Sequence, residues 1–549
     1  MKTKSLLFVS IVFSQMAIAE RYMVTFKNHD LHQELVSRKD SNLQLQSYMN
    51  SQGYTLTVDR IETHLQALDT VVVKHLSDLE VQSLKKNRNV LFVEKEVKHP
   101  LPFPLGQFKK PVLDAGAFRF FEQDRPWGIG AINSGRTWNV TAGGAGARVL
   151  ILDTGIDRDH PAIRPNLENA KDFVGDQQDG YAYKDTIGHG THVAGTVAGV
   201  LDKSGFSGVA PTAHILAGRV CAEDGCSNIS IAEGINWGVE QKVDVISMSL
   251  GGMWSSMAER IAVKRAFDAG ITIVAASGND GSSDVSFPAA LPECIAVGAV
   301  DADMKRAEFS QYGPELAVVA PGVDVISSVP LASGREAMVK VAMGGGDFQK
   351  TKSSAFEGSK TLLRPVSGQM IYVGLGKEDD FTNLNVEGKI ALIKRGELTF
   401  REKVDNAIKA KAAAVIIFNN TTESIRGSLT DDGSEVSVGV FMVDLAAGDA
   451  MMNALKEGQV VQTQMITAIT NHASMNGTSM ATPHVSGVVA LMKSVNKALT
   501  PTQVKALLKA TAKKISDDTE NETGSGVVQA DLAVQAALAV AAGQIIDRN

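Results

Sequence analysis

The sequence predicts an α/β protein with a doubly wound, mostly parallel sheet, preceded by a small α+β unit and interrupted by a second α/β unit. Three observations predict it. Runs such as Ala147-Arg-Val-Leu-Ile-Leu152 have the continuous hydrophobicity of strands buried on both faces. From Trp127 such runs alternate with helix-like segments and glycine-rich turns. At 549 residues the chain also exceeds one ordinary domain of about 100–200 residues.

The composition, 44% hydrophobic and 21% charged with 16 prolines, is that of a folded chain rather than a disordered one. A net charge of -7 gives no electrostatic reason for a nucleic-acid partner. Three cysteines are too few for a disulfide scaffold or a four-cysteine zinc site.

Residues 1–19 have the plan of a secretory signal. Lys2 and Lys4 precede the apolar Leu6–Phe13, and Ala17-Ile-Ala19 offers small residues for cleavage. The apolar run is short of the ~18–20 residues that span a bilayer, so no membrane anchor is expected. Export to the extracellular space or periplasm is.

Residues 20–98 form a unit of their own. Tyr22–Phe26, Thr70–Lys74 and Val90–Glu94 are strand-like, the polar segment after Asn28 suits a helix, and Ser77-Asp-Leu-Glu80 has capping-box spacing for a second. The order fits a ferredoxin-like β-α-β-β-α-β pattern. Residues 99–125, proline-rich from Pro100 to Pro111, read as a linker. The main α/β domain covers 126–330 and 471–549, with strands at Val243–Met248, Ile271–Ala275 and Cys294–Val300, and 331–470 is an insertion large enough for a domain. In an exported chain Cys221 and Cys226, bracketing Ala-Glu-Asp-Gly, form a local bridge or stay two free thiols. Cys294 reads as a buried core thiol.

Three segments carry chemistry: Asp153-Thr-Gly-Ile-Asp157 at a strand end, His189-Gly-Thr-His-Val-Ala-Gly195 at a helix start, and Asn476-Gly-Thr-Ser-Met-Ala-Thr-Pro-His-Val-Ser-Gly487 at another. In an open α/β sheet, strand C-termini and helix N-termini face one crevice. A serine hydroxyl needs an imidazole to take its proton, and the imidazole needs an acid to fix its tautomer. Asp153, His189 and Ser479 supply these parts in the order Asp…His…Ser, which is that of subtilisin.

With these motifs the chain resembles the subtilisin-like serine proteases, or subtilases, from about Trp127 to Leu331 and again from about Asn471 to the C-terminus. The resemblance implies an endopeptidase acting through an acyl-enzyme, with Asn279 of Ala275-Ala-Ser-Gly-Asn-Asp280 as the oxyanion residue. It implies that Ser249, Leu250 and Gly251, with Gly252, line the substrate cleft opposite Ala276, Ser277 and Gly278, and that Asp280 either meets a basic P1 side chain or is solvated. His192, three residues after His189, reads as structural because that pair lacks a third ligand, and His484 reads as structural too.

Many subtilases hold calcium. Here the position after His160-Pro161 is Ala162 while the later loop keeps Asp202; losing a carboxylate weakens such a site, so structural calcium is not firmly expected, and the chemistry requires no cofactor. The 331–470 segment, with Gly388–Gly396, Phe400–Lys411 and Ala414–Phe418, resembles the protease-associated (PA) domain, read either as a substrate gate or protein-binding element or as a stabilising decoration. The 20–98 unit then corresponds to an inhibitory propeptide, processed between about Lys98 and Arg125, or to a permanent accessory domain. The expected partners are a protein or peptide substrate and the chain's own propeptide, and the expected state is a monomer. The competing function is a catalytically silent module that binds proteins through the insertion.

Overall fold

The computed structural model describes residues 20–27, 29, 33, 42–54, 56–101, 126–177, 181–202, 205–421, 427–430, 434–516 and 518–543. The signal-like 1–19 and most of the linker with its expected processing site lie outside the described residues.

The first unit contains β1 (Arg21–Phe26), a helix Asn42–Ser51, β2 (Ile61–Leu65), β3 (Thr70–Lys74), a helix Asp78–Lys86 and β4 (Val90–Lys95). They form an antiparallel sheet in the order β2-β3-β1-β4. Strand alternation gives this sheet two apolar faces. Tyr22, Val24, Val71 and Val73 pack with Leu45, Met49 and Leu84 of its own helices. Met23, Leu65 and Val72 join the core of the main domain. The expected capping box is present: Glu80 N–H donates to Ser77 Oγ at 3.4 Å, and Ser77 N–H to Glu80 Oε2 at 2.8 Å.

The linker expectation needs one correction. Lys98–His99 form a short strand, β5, rather than the start of a free linker. Two residues carry no periodicity of their own; the strand exists because it pairs with the main domain.

That domain centres on a seven-stranded, all-parallel sheet in the order β14-β13-β12-β11-β6-β8-β7. Its strands are β6 (Arg148–Asp153), β7 (Leu167–Asp172), β8 (His214–Arg219), β11 (Val245–Met248), β12 (Thr272–Ala276), β13 (Cys294–Val300) and β14 (Leu316–Pro321). β7 escapes the hydrophobic pattern because it is an edge strand, with Glu168, Asn169 and Lys171 exposed. Both faces of the inner strands are buried. Val149 and Ile151 meet the helices His189–Ala198 and Thr478–Val495, whereas Leu150 and Leu152 meet Asn228–Gln241 and Met257–Asp268. The small β9 (Cys221–Ala222) and β10 (Gly225–Ser227) make a hairpin, and β5 adds to its outer edge in antiparallel register, Cys226↔His99 and Ser227↔Lys98.

β15 (Val325–Ser328) pairs with β24 (His472–Met475), Ser328 lying opposite His472, so the chain leaves and re-enters the domain at one point. Between them lies an eight-stranded sheet, β17-β16-β23-β19-β20-β21-β22-β18. Its strands are β16 (Gly334–Met343), β17 (Gln349–Thr351), β18 (Ser353–Ala355), β19 (Val366–Tyr372), β20 (Ile390–Lys394), β21 (Ala414–Phe418), β22 (Gly439–Val443) and β23 (Val461–Thr470). Ile390 and Leu392 pack toward Met451 of the Leu445–Lys456 helix, and Ala391 and Ile393 toward Val404 of the Phe400–Lys409 helix. The inserted unit thus has a core on each side of its sheet.

Candidate active site

The parallel register brings three strand ends together. Leu152 lies beside Met248, and Met248 beside Ala275, so Asp153, Ser249 and the Ser277–Asn279 turn follow from strands about 4.8 Å apart. Asp153 and His189 are 2% and 1% exposed. His189 Nδ1 stands 2.8 Å from Asp153 Oδ1, and Thr154 N–H donates to the same oxygen at 2.7 Å. A carboxylate accepting from Nδ1–H holds the tautomer whose Nε2 is the basic nitrogen.

Ser479 occupies the first turn of the Thr478–Val495 helix. Its hydroxyl donates to the Ser249 carbonyl at 3.0 Å, and the Ser249 hydroxyl donates to the Ser479 carbonyl at 2.8 Å. This reciprocal pair fixes the helix start against the end of β11. Backbone amides of a first helical turn have no intrahelical acceptor, so the Ser479 N–H is a donor the helix does not consume. Asn279 Oδ1 accepts from Thr478 N–H and from Thr478 Oγ1, both at 2.9 Å. Its acceptor end is engaged beside Ser479, which leaves Nδ2 as the donor end of the amide.

Motif reading missed Asp185, which is 1% exposed. Its Oδ1 accepts from Thr154 Oγ1 (2.9 Å), Ile187 N–H (3.1 Å) and Gly188 N–H (2.6 Å), and its Oδ2 from Thr191 N–H (2.8 Å) and Thr191 Oγ1 (2.7 Å). It therefore caps the His189 helix and ties that helix to the residue after Asp153. The signal was an acid four residues before His189, at cap-like spacing. Gly190 closes the same junction by close approach: a Cβ there would stand 2.1 Å from the Gly155 carbonyl oxygen.

The cleft residues divide by what they offer. Leu250 is 1% exposed and packs in the core, so its side chain is withdrawn from the expected cleft. Gly251 and Gly252 run beside Phe287, with Gly252 and Phe287 exchanging backbone hydrogen bonds of 2.9 and 2.8 Å. Ala276 ends β12, Ser277 Oγ donates to the Gln311 carbonyl at 3.0 Å, and Gly278 N–H donates to Thr478 Oγ1 at 3.2 Å. Asp280 is exposed.

His192 Nε2–H donates to the Val325 and Ala473 carbonyls at 3.0 and 3.2 Å, and burial pushes its pKa down to about 3. His484 Nδ1–H donates to the Met480 carbonyl at 2.8 Å, and burial lowers its pKa to about 4. Both are tied to backbone and neutral. Among the described residues no three His, Cys, Asp or Glu side chains converge as a metal site. Asp202 Oδ1 accepts from Phe206 N–H at 3.2 Å, and Ala162 is buried. At the expected calcium position Ala162 supplies no carboxylate, and Asp202 keeps one. Cys221 and Cys226 are disulfide-bonded across the hairpin, and Cys294 is a buried thiol whose pKa burial raises.

Residues 144–359 match the subtilase family (Peptidase S8), and 363–451 match the PA domain. The Bacillus subtilis subsp. natto protein named Subtilisin NAT is 33% identical over 325 residues, 57% of this chain and 73% of that one. The chain belongs to the subtilase family. It is a serine endopeptidase of the subtilisin type and acts on proteins. The subtilase also resembles a Bacillus pumilus subtilisin, 35% identical over 273 residues (49% of this chain, 90% of the relative). A thermostable alkaline protease of Halalkalibacterium halodurans is 38% identical over 259 residues, 47% of this chain and 64% of that protein. Among solved structures, the psychrophilic subtilisin-like protease Apa1 from the Antarctic Pseudoalteromonas sp. AS-11 superposes with a TM-score of 0.61 at 29% identity, covering 75% of this chain and 97% of that one. The fold is therefore subtilisin-like. The subtilase match runs to 359, through β16–β18, strands that pair within the inserted sheet; Ser479 lies beyond it. Among the described residues no helix is long and apolar enough to cross a membrane.

Proposed function

We propose that the subtilase hydrolyses peptide bonds with Asp153, His189 and Ser479 as its triad and that it is exported as a precursor restrained by its N-terminal unit. One observation carries the chemistry: the buried Asp153–His189 hydrogen bond of 2.8 Å lies at the C-terminal end of β6, beside the end of β11 where Ser249 grips Ser479. His189 Nε2 takes the Ser479 proton as Oγ attacks the scissile carbonyl, and Asp153 stabilises the imidazolium that forms. The Ser479 N–H and Asn279 Nδ2 receive the oxyanion. His189 then protonates the leaving amine, and water, deprotonated in turn by His189, releases the acyl group from Ser479. No cofactor is needed for these steps.

The precursor reading rests on β5, which adds to the hairpin edge as a bound peptide would. Glu94 also accepts from Met257 N–H at 2.9 Å, capping a main-domain helix, and Val97 and Asn228 exchange hydrogen bonds. The silent-module alternative is not favoured, since every catalytic position is occupied.

Purified wild type and Ser479→Ala are compared on casein, with a serine-directed inhibitor. Proteolysis by the wild type alone, abolished by the inhibitor, is expected; equal proteolysis by both overturns the triad assignment.

A further inference from the structure

We propose that Glu259 makes a pocket beside the substrate strand that selects a basic side chain upstream of the cut. The inference rests on the reading that substrate follows the path of β5 along the hairpin edge.

Extended backbone sends successive side chains to opposite sides, and both residues of β5 are basic. Lys98 Nζ pairs with the Asp224 carboxylate on the outer side, where both groups are partly exposed and the pair contributes little. His99 turns inward and is 4% exposed. Its Nε2 lies 3.4 Å from Glu259 Oε2, and its ring centroid is 6.5 Å from that of Trp254. Gly252 makes room for it: a Cβ at that position would stand 2.3 Å from His99 Nδ1.

Glu259 is fully buried with His99 in place. Its Oε2 accepts from Ser255 Oγ at 2.9 Å, and its Oε1 has no hydrogen-bond partner among the described residues. A buried carboxylate with an unsatisfied oxygen is unfavourable. A side chain that brings further donors or positive charge relieves it, and an apolar or acidic one does not. Arginine suits the pocket best: its planar fork bonds both oxygens at once, and its face stacks on an aromatic ring such as Trp254.

The pocket also lies at the right place along the cleft. Gly252 follows Ser249 by three residues, and Ser249 holds the Ser479 hydroxyl. At about 3.3 Å per residue the strip from nucleophile to pocket is about 10 Å, a few residues of extended peptide. The preferred substrates are therefore protein segments with Arg, Lys or His a few positions before the scissile bond. The chain's own Lys98-His99 is the internal example.

The test is a set of fluorogenic peptides in which each of five positions upstream of the cut is Arg, Lys, Leu or Glu in turn. Purified active enzyme is assayed after titration with a fluorophosphonate. At one position Arg or Lys should exceed Leu in kcat/KM by at least about tenfold, with Glu the poorest. Glu259→Gln should bring that Arg-to-Leu ratio near one. If that variant does not fold, Gly252→Ala, which fills the pocket from the other wall, should collapse the same ratio. Equal rates for Arg and Leu at every position in titrated wild type, or an unaltered ratio in the variant that folds, overturn the inference alone. Absence of fluorophosphonate labelling at Ser479 overturns the site assignment and this inference with it.

Discussion

Replacing Gly190 with alanine tests the claim that the triad is held by backbone contact between two loops. A Cβ at Gly190 would stand 2.1 Å from the Gly155 carbonyl oxygen and 3.1 Å from Gly155 N. Ordinary contact begins near 3.5 Å, so the His189 helix and the loop after Asp153 must part by about 1.4 Å. Neither neighbour is the end of a flexible side chain. Asp185 resists the movement, since its carboxylate binds Thr154 on one loop and Gly188 and Thr191 on the other. The strain appears in the 2.8 Å Asp153–His189 hydrogen bond. A displacement of about 1 Å at a catalytic group lowers rate on the order of 10²-fold, and overpacking of this kind destabilises by about 1–3 kcal/mol. The assay is kcat/KM on a short peptide per titrated active site, with the melting temperature measured alongside. A folded Gly190→Ala enzyme with wild-type kcat/KM would refute the reasoning.

Asn279→Ala should lower kcat on the order of 10²–10³-fold with little change in KM, the magnitude established on a subtilisin, the type example of this effect; an unchanged kcat removes Asn279 from the oxyanion site. Glu233, partly buried beneath the first unit's sheet, has its carboxyl pushed up to about 6 by burial, while Lys171 and Arg21 pull it down. The docked state therefore holds this proton more tightly than the free one. Docking is strongest below the ordinary carboxylate range and weakens as pH rises through about 6. Activity should emerge from the full chain faster at pH 6.5 than at pH 4.5, relative to Glu233→Gln measured at the same values; parallel profiles contradict this. Buried His192 and His484 and half-buried His472 have pKa values lowered to about 3, 4 and 4 respectively. The unfolded chain takes up these protons first, so the melting temperature should fall as pH drops from about 6.5 toward 4; a flat profile counts against it. Joining Ser328 to His472 by a short turn, across the β15–β24 pairing, should leave peptide hydrolysis measurable and alter the rate on whole proteins; equal loss on both makes the insertion structural. EDTA should leave the melting temperature unchanged; a fall would show a bound ion that Ala162 and Asp202 do not explain.

Much of the site was legible because chemistry at strand ends and helix starts leaves local marks. Asp153 closes a doubly apolar strand, and His189 and Ser479 open helices within small-residue motifs, so each could be placed before their distances were known. Asp185 left a weaker mark, since a cap four residues before a histidine resembles any loop acid. Strand β7 left none, because an edge strand exposed to water need not alternate. Leu250 illustrates the opposite case: its motif placed it at the cleft, but packing turned its side chain into the core.

Length, the apolar runs and the three motifs by themselves determined a parallel α/β domain, its interruption and the residues proposed for its chemistry. Each of these is written in residues near one another in the chain. The tertiary structure alone decided what depends on segments far apart: that β5 pairs with the hairpin, that Ser249 and Ser479 clasp each other, and that Glu259 meets His99. In sequence Glu259 is an ordinary acid in the first turn of a helix, with no periodicity or spacing to single it out. Beside His99 of a distant strand, with Gly252 and Trp254, its carboxylate is fully buried, and the proposed selectivity follows from that setting.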